Sequence, residues 1–551
     1  MFSVMASLFL VALDQTIVST ALGKIVEEFN SFGSLGWIVT AYMLTTTVTV
    51  PIAGKMSDIF GRRLMLVIGV VIFALASLLS GMAGSIDALI WSRALQGIGG
   101  GIITANAFTI VGDLFVARER GKWQGLIGAV FGISSLIGPL LGGFLTESHN
   151  FFGFTTDWRW TFFINVPVAI AALAMLIKFC PPLKHKGHKI SIDYVGAGLL
   201  AAALSLLVLA VDNTETIFAG LLDTLNMSVV TLRIIMYSLV AILTALFVLV
   251  ERRVEEPILP MEFFRHKNFV LIISIALLFG GAFLGAIIYI TQFNQQVFGA
   301  TPTESGLMIL PLIAGLMTTS IGSGQLISRT GKYKTQMLIG MIVGTVALIA
   351  LTQLSPETPY WYEAITLVFL GAGFGVAMPV MNLVVQSEFS IRQLGAATSS
   401  TQLFRGLGST VGVAVLGTML TTGITASLSD IQTDTYVKSL AHAPSMQSIG
   451  DLNDTNTLLN LNMPDIKQKI TDGAMEGINK LPESEREQAK QRFLENQAQY
   501  SSKVTHAFSE GLQRIFMTSA GLMMVAAILA AFITEKELRS ASDDETPTDS
   551  E

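Results

Sequence analysis

Fourteen apolar runs, each about 20 residues long, constrain this chain more than any other feature. They fall near 3–22, 37–54, 64–84, 88–113, 121–145, 161–179, 191–212, 233–250, 269–292, 304–327, 335–354, 363–386, 396–424 and 508–533. In hydrocarbon no water satisfies backbone N–H and C=O groups, so runs of this length are helices that bond internally. Composition agrees: only 13% of the 551 residues are charged and 51% are hydrophobic, against roughly 25% charge in soluble domains. The sequence predicts an all-α integral membrane protein with fourteen transmembrane helices.

Loop charge orients them. With a cytoplasmic N-terminus, the cytoplasmic connections and the C-terminal tail hold twenty Lys and Arg residues, including Lys55, Arg62, Arg63, Arg118, Arg120, Lys122, Lys184, Lys186, Lys189 and Arg392. The short connections on the other side hold only Lys24, Arg159 and Arg233. Positive charge in short loops stays inside, so both termini are expected in the cytoplasm and the chain is expected to be a multi-pass protein of the cytoplasmic membrane. The stretch Gly54-Lys55-Met56-Ser57-Asp58-Ile59-Phe60-Gly61-Arg62-Arg63 reads as a charged cytoplasmic loop framed by two glycines. Asp58 and Arg62, four apart, would share a face on a helical turn.

An internal repeat organises the spans. Gly54-x6-Gly61 recurs as Gly324-x6-Gly331, Gly97-x-Gly99-x-Gly101 as Gly371-x-Gly373-x-Gly375, and Phe115, Arg118 and Gly121 as Phe389, Arg392 and Gly395. The order is kept and the offset is nearly constant. Two six-helix bundles are therefore expected, one over 1–180 and one over 266–533, with a two-helix hairpin inserted at 190–252. Such bundles form a rocking pair around a central cavity. A polar stretch at 425–507 reads as a partly helical extracellular cap, with helix starts at Pro464-Asp465 and Pro482-Glu483. The tail at 540–551 reads as disordered.

Few residues carry chemistry. Asp14 stands mid-span, where a charge costs about 2.5–3.5 kcal/mol on insertion scales; its repeat counterpart is Leu284, so the scaffold alone needs no acid there. It is a candidate proton or cation carrier lining a wet cavity. Arg93, whose counterpart is Leu367, cannot shed its charge and needs an anion nearby; Asp14 is the candidate. Proton and a cationic cargo would then compete for one carboxylate. Asp58, Arg62 and Asp113, with Gly54, Gly61 and Arg63, are the candidate cytoplasmic gate. Gly132, Gly138, Pro139, Gly142 and Gly143 mark a bend where the fifth helix slides against the other bundle. Cavity candidates by depth are Gln15, Tyr42, Asn106, Asn165, Phe283, Gln292, Met378 and Asn382. Arg405, near Gly406 and Gly408, has no assignable partner.

Other functions are disfavoured. The glycines at 97–101 follow no strand and suit close helix packing rather than a nucleotide loop. A net charge of -6 with no basic stripe argues against nucleic acid. Cys180 is the only cysteine, and no nucleophile–base pair or metal set is present, so no enzyme, metal or cofactor is expected.

The loop Gly54–Arg63 resembles the signature loop of the major facilitator superfamily. Leu13-Asp14-Gln15-Thr16-Ile17-Val18 is similar to the first-helix motif of its fourteen-helix drug:proton antiporters, the QacA/EmrB-type exporters. Arg93 with Gln96-Gly97, Gly138-Pro139-Leu140-Leu141-Gly142-Gly143 and Trp158-Arg159-Trp160-Thr161-Phe162-Phe163-Ile164-Asn165-Val166-Pro167 extend the resemblance over about 1–425 and 508–533. It implies proton-driven export of amphipathic drugs, with Asp14 and Arg93 in coupling and Asp58, Arg62 and Asp113 in the inner gate; a monomer in the bilayer is expected. Relatives that export divalent cations carry extra acids in later helices; here Glu304 and Glu388 sit near helix ends, which favours monovalent or neutral cargo. Alternatives are export of a specific metabolite such as an amino acid, siderophore or antibiotic, or a non-transporting receptor that uses the 425–507 cap.

Overall fold

The computed structural model describes the chain except residues 30–34, 147–149, 152–153, 182–192, 212–213, 215–217, 301, 391–392, 428–434, 442–460, 463, 537 and 539–551. Lys184, Lys186, Lys189, Arg392, the tail and much of the 425–507 cap lie outside the described residues. Nineteen α-helices are described: α1 (Phe2–Phe29), α2 (Leu35–Phe60), α3 (Arg62–Gly81), α4 (Ile86–Leu114), α5 (Ala117–Thr146), α6 (Trp160–Phe163), α7 (Asn165–Phe179), α8 (Tyr194–Val211), α9 (Ala219–Leu225), α10 (Val229–Glu251), α11 (Lys267–Gln296), α12 (Pro302–Met308), α13 (Leu310–Thr330), α14 (Lys334–Leu351), α15 (Tyr360–Glu388), α16 (Leu394–Ser427), α17 (Thr435–Ala441), α18 (Pro464–Ile478) and α19 (Glu483–Ala531). The strands among the described residues are a two-residue pair, Asn150–Phe151 with Phe154–Thr155.

Counting α6 with α7 and α12 with α13, thirteen helices among the described residues are long and apolar enough to cross a membrane. The first helix carries a shorter apolar stretch, Phe2–Val18, which holds Asp14. These elements coincide with the fourteen expected runs and overshoot most of them by a turn. Local chemistry sets several starts: the Ser85 hydroxyl accepts from the Ala88 amide (3.2 Å) at the head of α4, and Ser228 does the same for Thr231 (3.1 Å) in α10. Pro482 heads α19, as expected, but that helix then runs without a break through the last span. Cap and membrane helix are thus one 49-residue rod.

Helices α1 to α7 pack on one another, as do α11 to α16 with α19. The two bundles meet along α5 against α13 and α2 against α16, and α8, paired with α10, lies on α2 and α16. We call the end that carries Gly61 and Gly331 the basic end, and the opposite one the cap end. One expectation is corrected here. Gly54 to Phe60 is not a loop: α2 continues to Phe60, and the turn is Gly61 alone, at φ 98°. Its repeat counterpart Gly331 has φ 71°. Only glycine takes that region without strain.

The repeat is visible in the packing. A Cβ on Gly99 would lie 2.6 Å from the Phe73 amide nitrogen, and one on Gly373 would lie 2.5 Å from that of Gly344. Between the bundles, Gly54 presses on the Gly395 turn and Gly324 on the Gly121 turn, two contacts related by the repeat. Without a hydrophobic force between helices in lipid, backbone approach at small residues is what holds them.

Overpacking against rigid backbone should cost about 1–3 kcal/mol or more. Gly99→Val and Gly373→Val are expected to lower the unfolding temperature of the purified protein by similar amounts. Gly198→Val, at a helical position with open space around it, should leave it nearly unchanged. Equal effects at all three positions would contradict the packing described.

Candidate functional site

Asp14 lies on the inner face of α1 with no exposed surface. Three side chains from two helices converge on it. Arg93 of α4 donates through Nη1 to Oδ2 (2.6 Å), Gln96 of α4 donates through Nε2 to Oδ1 (2.8 Å), and Asn165 at the start of α7 donates through Nδ2 to Oδ1 (2.7 Å). The spacing of Arg93 and Gln96 puts them on one helical face, and Arg93 also donates to Gln96 Oε1 (2.7 Å). Gln96 in turn donates to Ser77 of α3 (2.7 Å). The Arg93 guanidinium stacks on Tyr42 of α2, 4.3 Å from the ring centroid, with Phe162 at 5.8 Å on its other approach. Arg93 is therefore no snorkelling residue; its head is buried.

The expectation that Asp14 lines a wet cavity is not met in this conformation. The carboxylate is enclosed within the first bundle, charge-neutralised and triply hydrogen-bonded. A buried pair of this kind is strongly coupled: removing one partner strands the other.

The basic end holds a second charged cluster. Arg62 is fully buried and binds Asp58, Asp113 (Nε to Oδ2, 2.7 Å) and the Ser57 hydroxyl. Asp58 reaches across to the other bundle, where its oxygens accept from the backbone amides of Gly395 (3.1 Å) and Ala396 (3.2 Å). These are orphan donors of the first turn of α16, so Asp58 of one bundle caps a helix of the other. A carboxylate at a helix N-terminus is worth about 0.3–1 kcal/mol when exposed and up to about 2 when partly buried. Gly395 must be glycine here, because a Cβ would run into Asp58, Arg62 and the Gly54 carbonyl. Further bonds join the bundles at this end: Arg120 Nη1 to the Gln386 carbonyl (2.8 Å), Gln386 Nε2 to the Phe108 carbonyl (2.9 Å), and Arg118 to the Ser328 (2.9 Å) and Arg329 carbonyls. Arg63, expected in the gate, donates instead to the Ile177 carbonyl (2.5 Å) within its own bundle.

The α5 motif also differs from expectation. The helix is continuous through Pro139. Gly138 and Gly142 press against Thr16, Ile17 and Thr20 of α1, in the same bundle, just past Asp14. The face of α5 that meets the other bundle carries Gly121, Gly125, Gly128 and Gly132, against Gly324, Ser320 and Met317 of α13. Pro139 lies near Gly306. Gly143 is partly buried.

Of the cavity candidates, Tyr42 and Asn165 join the Asp14 site. Gln15 and Gln292 are exposed. Asn106 bonds its own helix at the Ile102 carbonyl (2.8 Å), and Asn382 accepts from Gln402 (3.0 Å) inside the second bundle, where Met378 is core. Phe283 stacks on Phe279 at 5.6 Å. The Trp158–Asn165 segment acts at both ends. Asn165 reaches Asp14, while at the cap end Trp158 Nε1 (2.5 Å) and Arg159 (2.7 Å) bind Glu28 of α1. The Arg159 hydrogen bond, helped by Trp158, holds the Glu28 carboxyl below its ordinary 4.5 against the upward push of burial.

Sequence reasoning missed Gln96 and Ser77 as partners of Asp14; for Gln96 the i, i+3 spacing from Arg93 was the available signal. It also missed Glu363, in the first turn of α15, which is fully buried and faces Asn294. No group of His, Cys, Asp or Glu among the described residues is arranged to hold a metal.

Comparison with known proteins gives a consistent result. The family model described as Major Facilitator Superfamily matches residues 4–413. Multidrug transporter protein MdtP of Bacillus subtilis is 35% identical over 84% of this chain and 83% of its own length. Multidrug resistance protein 3 of the same organism is 33% identical over 80% and 82% respectively. Among solved structures, the proton:xylose symporter XylE superposes with a TM-score of 0.61 at 14% identity, covering 98% of this chain and 96% of that one; at that identity the likeness speaks for the fold.

Two outcomes are expected. Asp14→Asn and Arg93→Gln should each destabilise the protein by about 3–5 kcal/mol, and the double variant should recover part of that loss, as measured by thermal unfolding in detergent. Additive losses would mean that the pair does not act as one unit. At the cap end, a carboxyl held below its ordinary value contributes stability above pH 4.5 and loses it as the pH falls below. The difference in Tm between wild type and Glu28→Gln should therefore be present at pH 6 and shrink below pH 4.5. It should be small, because the pair is partly exposed.

Proposed function

This chain belongs to the Major Facilitator Superfamily, and we propose that it is a proton-coupled antiporter that exports amphipathic drugs or toxic organic compounds across the cytoplasmic membrane by alternating access. One observation carries the reading: the first bundle holds an acid deep in a span, Asp14, on a ring of polar partners drawn from α3, α4 and α7. Apolar packing does not require such a group, and intramembrane acids mark ion pathways. The names of the Bacillus relatives support the cargo class.

Coupling follows from charge balance. A proton taken up by Asp14 neutralises it and leaves Arg93 without a counter-charge in a low-dielectric site. Arg93 must then shift or find another anion, and Tyr42 and Gln96, which touch it, move with it. Protonation is thereby converted into movement of α2 and α4, the helices that frame the space between the bundles. This replaces direct competition of proton and cargo for one carboxylate, which the enclosure of Asp14 does not favour.

We place the basic end in the cytoplasm, with α1 as a fourteenth span and both termini inside. The Asp58 cap on α16 is then the latch of the cytoplasmic side, and the described conformation has that side shut. Opening it requires α2 and α16 to part, which uncaps Gly395 and Ala396 and leaves Asp58 with Arg62. A latch worth one or two kcal/mol suffices, since it need only bias two nearly equal states. The driving force is about 2.3 kcal/mol per charge per 100 mV, plus the pH gradient.

In proteoliposomes of the full chain, an imposed pH gradient is expected to drive transport of an amphipathic dye, with abolition by a proton uncoupler. Asp14→Glu should retain part of the activity, and Asp14→Asn should lose gradient-driven transport by at least about 100-fold. Unchanged gradient-driven transport by a folded Asp14→Asn protein would remove Asp14 from the mechanism.

A further inference from the structure

Arg405 stands eleven residues into α16. At 1.5 Å per residue its Cα is about 16 Å from the basic end of that helix, near the middle of a bilayer core of about 30 Å. Among the described residues its guanidinium has no hydrogen-bonding or ion-paired partner. Asp14 is bound to Arg93, and Asp58 and Asp113 are bound to Arg62. Glu363 is in the first turn of α15 at the cap end, and no carboxylate acts on Arg405. Mid-membrane charge is expensive, and an arginine cannot relieve the cost by losing its proton.

Its position is between the bundles. The guanidinium carbon lies 5.9 Å from the ring centroid of Phe108 on α4, in the opposite bundle. Phe108 stacks on Phe131 of α5 (6.4 Å between centroids, planes 15° apart), and Phe131 is partly exposed, as is Arg405. On the far side of Phe108, its carbonyl accepts from Gln386 and Gln124, the layer of bonds that closes the basic end. The head of Arg405 thus lies over a closed floor, beside an aromatic surface, with accessible area and no anion.

We propose that Arg405 recognises the anionic group of the cargo, and that the preferred cargo is an amphipathic anion, an aromatic carboxylate whose ring lies along Phe108 and Phe131. This rests on the reading of the chain as an exporter and reverses the sign of charge that Asp14 suggested: the acid is enclosed with its own arginine, while the charge left open is positive. Arginine pairs with a carboxylate through two parallel N–H···O bonds, and an apolar slab beside it takes the rest of the molecule. An anion here also removes the desolvation cost of the unpaired guanidinium, so cargo binding itself stabilises the closed basic end.

The test uses one scaffold with three head groups: 2-naphthylacetate, 2-naphthylacetamide and (2-naphthylmethyl)trimethylammonium. Binding to the purified full chain is measured by calorimetry, and transport in proteoliposomes under a pH gradient. The wild type is expected to bind the carboxylate at least about ten-fold tighter than the amide and to bind the cation most weakly. Arg405→Gln should bring the carboxylate-to-amide ratio to about one with the amide's affinity unchanged, and Arg405→Lys should keep part of the preference. The wild-type ratio needs no variant, so a misfolded variant leaves the proposal decided. Equal or weaker binding of the carboxylate by wild type, no binding of any probe, or a preference retained in folded Arg405→Gln would overturn it. Carboxylate binding without gradient-driven transport would leave the site standing and count against the exporter reading; gradient-driven transport that favours the cation would do the reverse.

Discussion

Everything in this molecule depends on helices that touch backbone to backbone. Lipid chains are as apolar as leucine, so burial gives these helices no reason to prefer one another. Association comes from contact, and contact is closest where there is no side chain. The crossings of α3 with α4 at Gly99 and of α14 with α15 at Gly373 are the same joint made twice. So are the two joints between bundles, Gly54 on Gly395 and Gly324 on Gly121. Those two inter-bundle joints lie at the basic end, where Asp58 also caps α16, and the contact continues along α5 at Gly125, Gly128 and Gly132.

On that near-symmetric frame the charges are distributed without symmetry. Asp58 has Ser328 at the corresponding position, Arg62 has Lys332, Asp14 has Leu284 and Arg93 has Leu367. The first bundle therefore carries both the enclosed acid and the latch, and the second offers its backbone: the bare N-terminus of α16 for Asp58, and the carbonyls of Gln386, Ser328 and Arg329 for Arg120 and Arg118. A bond to a helix end or a carbonyl needs no matching side chain, so one half was free to specialise while the other kept the shape. Arg405 and the buried Glu363 are the second bundle's exceptions, and among the described residues the Arg405 guanidinium has no ion-paired partner.

In the proposed mechanism, a proton event and a gate are coupled through rigid parts. Gln96 and Arg93 touch Asp14 and share α4 with Asp113, which anchors Arg62 at the latch. A helix is stiff over that length, so a shift at one end is felt at the other. The inserted pair α8 and α10 is attached beside this line. Lys55 of α2 is bound to Glu256 (2.6 Å), and the amides of Ile258 and Leu259 are held by Glu251 at the end of α10.

The sequence by itself determined that the chain is all-helical and membrane-spanning, the approximate limits of its apolar helices, the repeat, the turn glycines and which apolar runs carry a charge. Each of these follows from local rules: the length of hydrocarbon to be crossed, the cost of an unneeded charge there, and the backbone freedom that only glycine has. It did not determine what those charges face. Gly54 read as a turn residue because charge around it suggested a loop, whereas α2 uses that position to meet another helix. Asp14 read as open to water because acids in membranes usually are, whereas three donors from distant parts of the chain close around it. Asn165 and Gln96 lie 151 and 82 residues away from it along the chain. Such separations are settled only when the helices are rotated and docked, since a helix of given sequence can present its polar face to lipid, to a neighbour or to a cavity. Tertiary structure made that choice, and with it decided that the enclosed charge is Asp14 and the open one is Arg405.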